Sequence, residues 1–157
     1  MPTTLKPRAA DATAEELHEA LSALIRVYQF RDRDKICCHD VSVTQCYALE
    51  ALVKLGASTL NEVAAELYLD KSTASRVVAT LERKKYVTRR PHPDDARATQ
   101  LEPTAAGRRL YERIRTDLVA EQEAMTADLD PAVRRGMLVM LRRLTASVAA
   151  RSGVCCG

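Results

Sequence analysis

Tryptophan is absent and phenylalanine occurs once, so aromatic side chains make up only 4% of the 157 residues. A core made by this chain must therefore be aliphatic, built mainly from Leu, Val, Ala and Ile. Turn-forming residues are scarce as well, with 5 Gly and 6 Pro. That excludes a sandwich of many short strands and favours long helices. No apolar run approaches the ~20 residues of a membrane span. The opening Met1-Pro2-Thr3-Thr4-Leu5-Lys6-Pro7-Arg8 lacks the apolar stretch of a secretory signal. The expectation is a soluble cytoplasmic protein with no membrane partner. Hydrophobic residues are plentiful at 46%, which excludes wholesale disorder in a chain the size of one domain.

The net charge is only +3, but it is unevenly placed. Between Asp70 and Arg97 lie eight basic residues (Lys71, Arg76, Arg83, Lys84, Lys85, Arg89, Arg90, Arg97) against four acids, a local charge of +4, which leaves the rest of the chain at −1. A concentrated positive field is what a polyanion-binding element requires. Helix ends also collect Lys and Arg for dipole and solubility reasons, so the pattern beneath the charge has to decide.

Leu17, Leu21, Leu24 and Tyr28 recur at spacings of four, three and four, one stripe of an amphipathic helix over 12–30. A charged loop, Arg31-Asp32-Arg33-Asp34-Lys35, is expected next, followed by Cys37-Cys38-His39-Asp40. A second helix over 44–55 carries Cys46, Leu49, Leu52 and Val53 as inward candidates, and Gly56 suits its C-terminal stop. A third, over 60–67, presents Leu60, Val63, Ala64 and Leu67 on one face. After the turn Tyr68-Leu69-Asp70, a fourth helix over 71–84 has Asp70 as N-cap and buries Ala74, Val77, Val78 and Leu81. Ser72, Thr73, Ser75 and Arg76 fall on its other side. Two short helices, a tight turn and small polar residues facing out describe a helix-turn-helix. The period then changes to that of strands: 86–90, a turn over 91–97, and a return over 98–102. Such a hairpin is a wing. Pro103-Thr104 opens a long helix with Leu110, Ile114 and Leu118 inward, reaching Leu129. Asp130-Pro131 starts the last one, with Val133, Met137, Leu141, Leu144 and Val148, which ends at Gly153. The fold class expected is mainly α with a small β-hairpin wing.

The run Leu60 to Val87 (LNEVAAELYLDKSTASRVVATLERKKYV) resembles the helix-turn-helix of MarR-type regulators. Arg89-Arg90-Pro91 and Asp94-Asp95-Ala96-Arg97 resemble that family's wing with its Asp-x-Arg signature, and Thr104-Ala105-Ala106-Gly107 resembles the Thr-x-x-Gly that opens its long helix. The resemblance covers Ala12 to Ala150, with its motif core from Leu60 to Gly107. It implies a homodimeric winged helix-turn-helix repressor with interleaved terminal helices. Segments 12–56 and 104–153 would be dimerisation helices, 57–103 the DNA-binding lobe and 154–157 a cysteine-bearing tail. Apolar stripes at both chain ends, which one small lobe could not bury, agree with a dimer. A two-fold dimer in turn implies double-stranded DNA with a palindromic operator, its half-sites about one helical turn apart.

Position and chemistry then assign roles. Ser72, Thr73 and Ser75 reach base edges or phosphates from the start of the recognition helix, and Arg76 a phosphate or a guanine edge. Arg97 at the wing tip enters the minor groove, with Asp95 orienting it. Arg89 and Arg90 sit at phosphates.

Five cysteines remain to be explained: the pairs Cys37-Cys38 and Cys155-Cys156, and Cys46. The family signature requires none of them. Thiols in such number in a reducing compartment point to metal binding or redox chemistry. The pairs sit in a loop and a tail, whereas Cys46 occupies a periodic helix position suited to packing. The tail from Gly153 spans roughly 10 Å, so Cys37, Cys38, Cys155 and Cys156 are feasible partners in one chain or across two, with Cys46 and His39 as lesser candidates. Thiolates select soft ions: Zn(II), Cu(I), an iron–sulfur cluster or As(III). Adjacent cysteines without Cys-x-x-Cys spacing disfavour a zinc ribbon and suit a large thiophile, arsenite first. A thiol switch closing an intersubunit disulfide is the next reading, and a small phenolic acid bound between the lobes, with incidental cysteines, is the third. Catalysis is not expected, because Cys38 and His39, adjacent on a loop, do not readily face each other as nucleophile and base.

Overall fold

Helices in the first half of the chain start on side chains that satisfy their own first amides. The computed structural model describes residues 12–36, 39–95 and 98–152. Its elements are α1 (Ala14–Ile36), α2 (Val43–Leu55), α3 (Leu60–Glu66), α4 (Lys71–Arg83), β1 (Val87–Pro91), β2 (Thr99–Pro103), α5 (Ala105–Met125) and α6 (Pro131–Ser152). Ser42 Oγ accepts the Gln45 amide at 3.2 Å while Gln45 Oε1 accepts the Ser42 amide at 3.3 Å, and Thr59 and Glu62 repeat this reciprocal box ahead of α3.

The carboxyl ends of α3 and α4 share one device. After α3, the Leu69 amide bonds the Ala64 carbonyl and the Tyr68 amide the Ala65 carbonyl; after α4, the Tyr86 amide bonds Leu81 and the Lys85 amide Glu82. Both are Schellman endings, which place one residue in the left-handed region. Here those residues are Tyr68 (φ 54) and Lys85 (φ 61), not glycine. A side chain there costs about 1–2 kcal/mol, part of which glycine would return as unfolded-state entropy. Lys85→Gly is therefore expected to stabilise the fold by about 0.5–1 kcal/mol, read in denaturant melts; a loss of stability would show that the Lys85 side chain holds something its strain offsets.

Two compact units divide the chain, Met1–Ile114 and Arg115–Gly157. The core of the first is aliphatic as expected: Ile36 from α1, Leu49 and Leu52 from α2, Val63 from α3, Val78 and Leu81 from α4, Leu101 from β2, and Leu110 and Ile114 from α5. The antiparallel hairpin pairs Val87 with Pro103 and Pro91 with Thr99. Ser58, between α2 and α3, adds a bridge to Leu101, its amide and carbonyl both bonded at 3.1 and 2.7 Å. This is a winged helix-turn-helix. In the second unit Asp130 caps α6 through the Ala132 amide at 2.7 Å, with Pro131 at the first helical position. None of its described residues is buried.

Two expectations need correcting. The long helix does not reach Leu129: α5 ends at Met125, and the chain turns there, the Thr126 amide bonding the Glu123 carbonyl and the Leu129 amide the Thr126 carbonyl, both at 3.2 Å. The charged stretch 31–35 is not a loop but the last turns of α1, which runs on to Ile36. The stripe that starts at Leu17 continues through Tyr28 to Asp32 and Ile36, and only these last two are buried, Leu17 and Leu24 being 50% and 45% exposed. Asp32 is tolerated there because Arg31 Nη2 and Nε donate to its Oδ1 at 2.6 and 2.9 Å and the Tyr47 hydroxyl donates to Oδ2 at 3.2 Å. The guanidinium also lies 4.1 Å above the Tyr28 ring.

Candidate nucleic-acid interface

Asp70 organises the exposed start of α4. Its Oδ1 accepts the Thr73 amide at 2.9 Å and the Ser72 hydroxyl at 2.6 Å, and its Oδ2 accepts the Thr73 hydroxyl at 2.6 Å. Those bonds, the Ser72 hydroxyl first, hold the carboxyl well below its ordinary value of 3.8. A depressed acid stabilises fully above that ordinary value, and its contribution fades as pH falls below it. The α4 amino terminus is thus intact at neutral pH. The hydroxyls of Ser72 and Thr73 spend their protons on Asp70, which leaves them as acceptors toward any ligand.

A chain of bonds continues along the same face. Arg76 Nη2 donates to Thr73 Oγ1 at 3.1 Å, Thr80 Oγ1 donates to the Arg76 carbonyl at 3.0 Å, and Arg83 Nη2 donates to Thr80 Oγ1 at 2.9 Å. Ser75 stands beside this row, half-buried. The wing behaves differently. Arg89 Nε donates to both oxygens of Glu82, at 2.8 and 2.9 Å, which pins it to the last turn of α4. Arg90 is looser, 3.5 Å from Glu102 and exposed. The wing turn is closed by the Ala98 amide on the Asp95 carbonyl at 3.0 Å. Arg97 lies outside the described residues. The structure therefore brings Ser72, Thr73, Ser75 and Arg76 together on one helix, places Arg89 and Arg90 on the adjoining strand, and adds Thr80 and Arg83. The sequence signal for that pair was their spacing of four and seven from Arg76, the same face two turns on.

Lys84, the C-cap of α4, donates to the Asp40 carbonyl and lies 3.4 Å from Asp40 Oδ1 and 3.5 Å from Gln45 Oε1. α4 is thereby tied to the segment just after His39.

Of the cysteines, only Cys46 is among the described residues; Cys37, Cys38, Cys155 and Cys156 lie outside them. Cys46 is 3% exposed in the core. Burial, with the charges of Glu50 and Asp32 behind it, pushes its thiol up to about 12. At pH 8 about one molecule in ten thousand carries the thiolate. Iodoacetamide at that pH is expected to leave Cys46 unlabelled in the native protein and to label it after denaturation, as peptide mass mapping would read; rapid native labelling would mean that α2 opens. His39 is half-buried. Among the described residues no three His, Cys, Asp or Glu side chains gather as a metal site. Nor is any helix among them long and apolar enough to cross a membrane.

Behind the end of α4, a cleft of about 510 Å³ is lined by Tyr86, Ala106, Arg108, Arg109, Glu112 and Arg113. Three guanidinium groups beside a tyrosine give it a cationic wall.

Comparison with known proteins follows the same lines. The family model described as MarR family matches residues 39–98. No curated protein matches the chain. A MarR protein from Peptoclostridium difficile has the same fold, with a TM-score of 0.77 at 17% identity, covering 97% of each chain. A MarR transcriptional regulator from Methanosarcina mazei aligns at a TM-score of 0.74 and 22% identity over 85% of this chain and 96% of its own. Bordetella bronchiseptica BpsR, whose DNA binding is regulated by 6-hydroxynicotinic acid, aligns at 0.63 and 23% identity over 80% of this chain and 98% of its own.

Proposed function

We propose that this chain is a MarR-family transcriptional regulator that acts as a homodimeric repressor and reads a palindromic operator in double-stranded DNA; the family model's match to residues 39–98 and the fold it shares with MarR proteins support the family. The observation that carries the reading is the outer face of α4. It is polar and basic, and its acid at the start, Asp70, and at the end, Glu82, are both engaged within the protein. The dimer is supported by the second unit, whose apolar side chains Val119, Met125, Val133, Met137 to Leu141 and Val148 are 42–64% exposed. A second copy is the simplest cover for that much apolar surface on a two-helix unit. Ser72, Thr73, Ser75 and Arg76 would face the major groove, Arg90 a phosphate, and Arg97 the minor groove with Asp95 orienting it, while Arg89 neutralises Glu82. The test is binding to 20–30 base pairs of the protein's own promoter against random DNA at 150 mM salt. A preference of about a thousandfold or more is expected, and none would end the reading.

The effector we propose is a soft metal or metalloid, arsenite first, held by thiolates of Cys37, Cys38, Cys155 and Cys156. Sulfur's softness and the number of thiols support it, with Cys46, buried in α2, and His39 as lesser candidates. Mass spectrometry of the reduced native protein titrated with arsenite, Zn(II), Cu(I) and a mild oxidant decides. A stoichiometric arsenite adduct, lost in Cys→Ser variants and coupled to DNA release, is expected. A loss of two hydrogens with oxidant alone would replace it with the disulfide switch.

The cationic cleft favours a second reading, a small aromatic carboxylate as effector. Its volume suits such a ligand, and BpsR responds to one. Arg109→Ala would then abolish a ligand-induced rise in melting temperature.

A further inference from the structure

The bond pattern along α4 reaches further than the residues assigned so far. Arg83 is exposed at the last turn of the helix, and its guanidinium is held by Thr80, whose own proton is committed to the Arg76 carbonyl. Thr80 thus joins the two arginines in one row. Seven residues separate them, about 10.5 Å along the axis at about 1.5 Å each, comparable with the ~12 Å width of a B-DNA major groove. Glu82, the one acid in that turn of α4, is taken by both of its oxygens by Arg89. Among the described residues, no carboxylate lies within ion-pair distance of Arg83. A long cationic side chain is thereby held at low entropic cost with its charge unspent.

We infer that Arg83 is a second DNA-contact residue of the recognition helix, binding a backbone phosphate at the edge of the groove into which Arg76 projects, and that Thr80 is its positioning residue. The inference rests on the DNA-binding reading above. It also divides labour between neighbours in sequence: Arg83 meets phosphate, while Arg89 neutralises the acid that would otherwise face it.

The experiment is operator binding by the full-length protein over a salt series, with Arg83→Gln, Arg83→Lys and Thr80→Val beside wild type and Arg76→Ala. Each B-DNA phosphate contact contributes about 0.9 to the slope of log K against log salt. A dimer losing both copies of Arg83 should therefore show a slope shallower by about 1.8, with affinity down on the order of tenfold or more. Arg83→Lys should restore the slope, and Thr80→Val should weaken binding a few-fold with the slope unchanged. If Arg83→Gln weakens binding without altering the slope, the residue serves only the helix terminus and the inference fails. It fails equally if affinity and slope both stay at wild type while Arg76→Ala weakens binding. A wild-type protein with no operator preference would sink the DNA-binding reading itself, and this inference with it. Arg83 is exposed, and unchanged melting of each variant confirms that folding is not what is read.

Discussion

Gly107→Ala is expected to destabilise the protein by about 3 kcal/mol. An alanine Cβ at this position would stand 2.1 Å from the Tyr86 carbonyl oxygen, 3.0 Å from its carbon and 3.3 Å from a methyl of Leu49. The nearest obstacle is backbone, so it cannot swing aside as the end of a side chain would. It is also committed, because the Tyr86 carbonyl accepts the Thr104 amide at 2.9 Å. Thr104 completes the joint: its hydroxyl donates to the Lys85 carbonyl at 2.8 Å and accepts the Gly107 amide at 3.1 Å. Overpacking costs about 1–3 kcal/mol and occasionally more. Breaking the Thr104 bond adds about 1 kcal/mol, and alanine's helix propensity returns about 1 kcal/mol. For a chain of this size the melting temperature should fall by about 6–12 °C. The same joint fixes the end of the recognition helix, so operator affinity should fall alongside stability. A Gly107→Ala protein as stable as wild type would mean that α5 can move away from Tyr86 at no cost, and the seam would lose its assigned importance.

That seam shows what the residues disclosed and what they withheld. Thr104-x-x-Gly107 stands out as a motif in the sequence, but its reason is the Tyr86 carbonyl, eighteen residues back from Thr104 and brought there by the hairpin. The helix-turn-helix was legible because α3 and α4 each carry a clean 3.6-residue period and start at strong caps, all within local reach of the chain. α1 runs past Phe30, against the sequence pattern, for the opposite reason. Five charged residues in a row look like a solvated loop, and only the Tyr47 hydroxyl, fifteen residues on from Asp32, makes an inward aspartate tenable. Lys85 gave no local sign either. A glycine would have marked the left-handed ending of α4, and a lysine takes its place.

In the site itself, residue type was readable and allocation was not. Arg76, Arg83, Arg89 and Arg90 are alike in sequence, each exposed and basic by position. The structure separates them by the company they keep: Arg89 with Glu82 across the helix–strand boundary, Arg90 loosely with Glu102, Arg76 and Arg83 with threonines of their own helix. Periodicity places a guanidinium on a face, whereas the acid that neutralises it belongs to another element whose register only folding sets.

Leu141→Glu is expected to leave a monomer that has lost operator binding by about a hundredfold or more. Leu141 lies in the middle of α6, one turn from Met137, and the two are 47% and 42% exposed in a unit none of whose described residues is buried. In the proposed dimer this stripe is covered by the partner. Removing a leucine's burial costs about 1.5–3 kcal/mol for each copy, and a glutamate there adds the cost of desolvating a charge, incurred twice across a two-fold axis. Several kcal/mol taken from association raise the dimer dissociation constant by a thousandfold or more, at about 1.4 kcal/mol per tenfold. The DNA consequence follows from geometry. Two linked lobes bind the second half-site at the high effective concentration set by the dimer, an advantage on the order of 10²–10⁴ that a single lobe forfeits. The winged lobe should stay folded, since its aliphatic core lies wholly within the first unit. Sedimentation, circular dichroism and operator binding on the same sample separate these effects. A Leu141→Glu protein that still sediments as a dimer would place the interface elsewhere than on α6. One that dissociates yet binds the palindrome at full strength would show that a single lobe suffices for operator recognition.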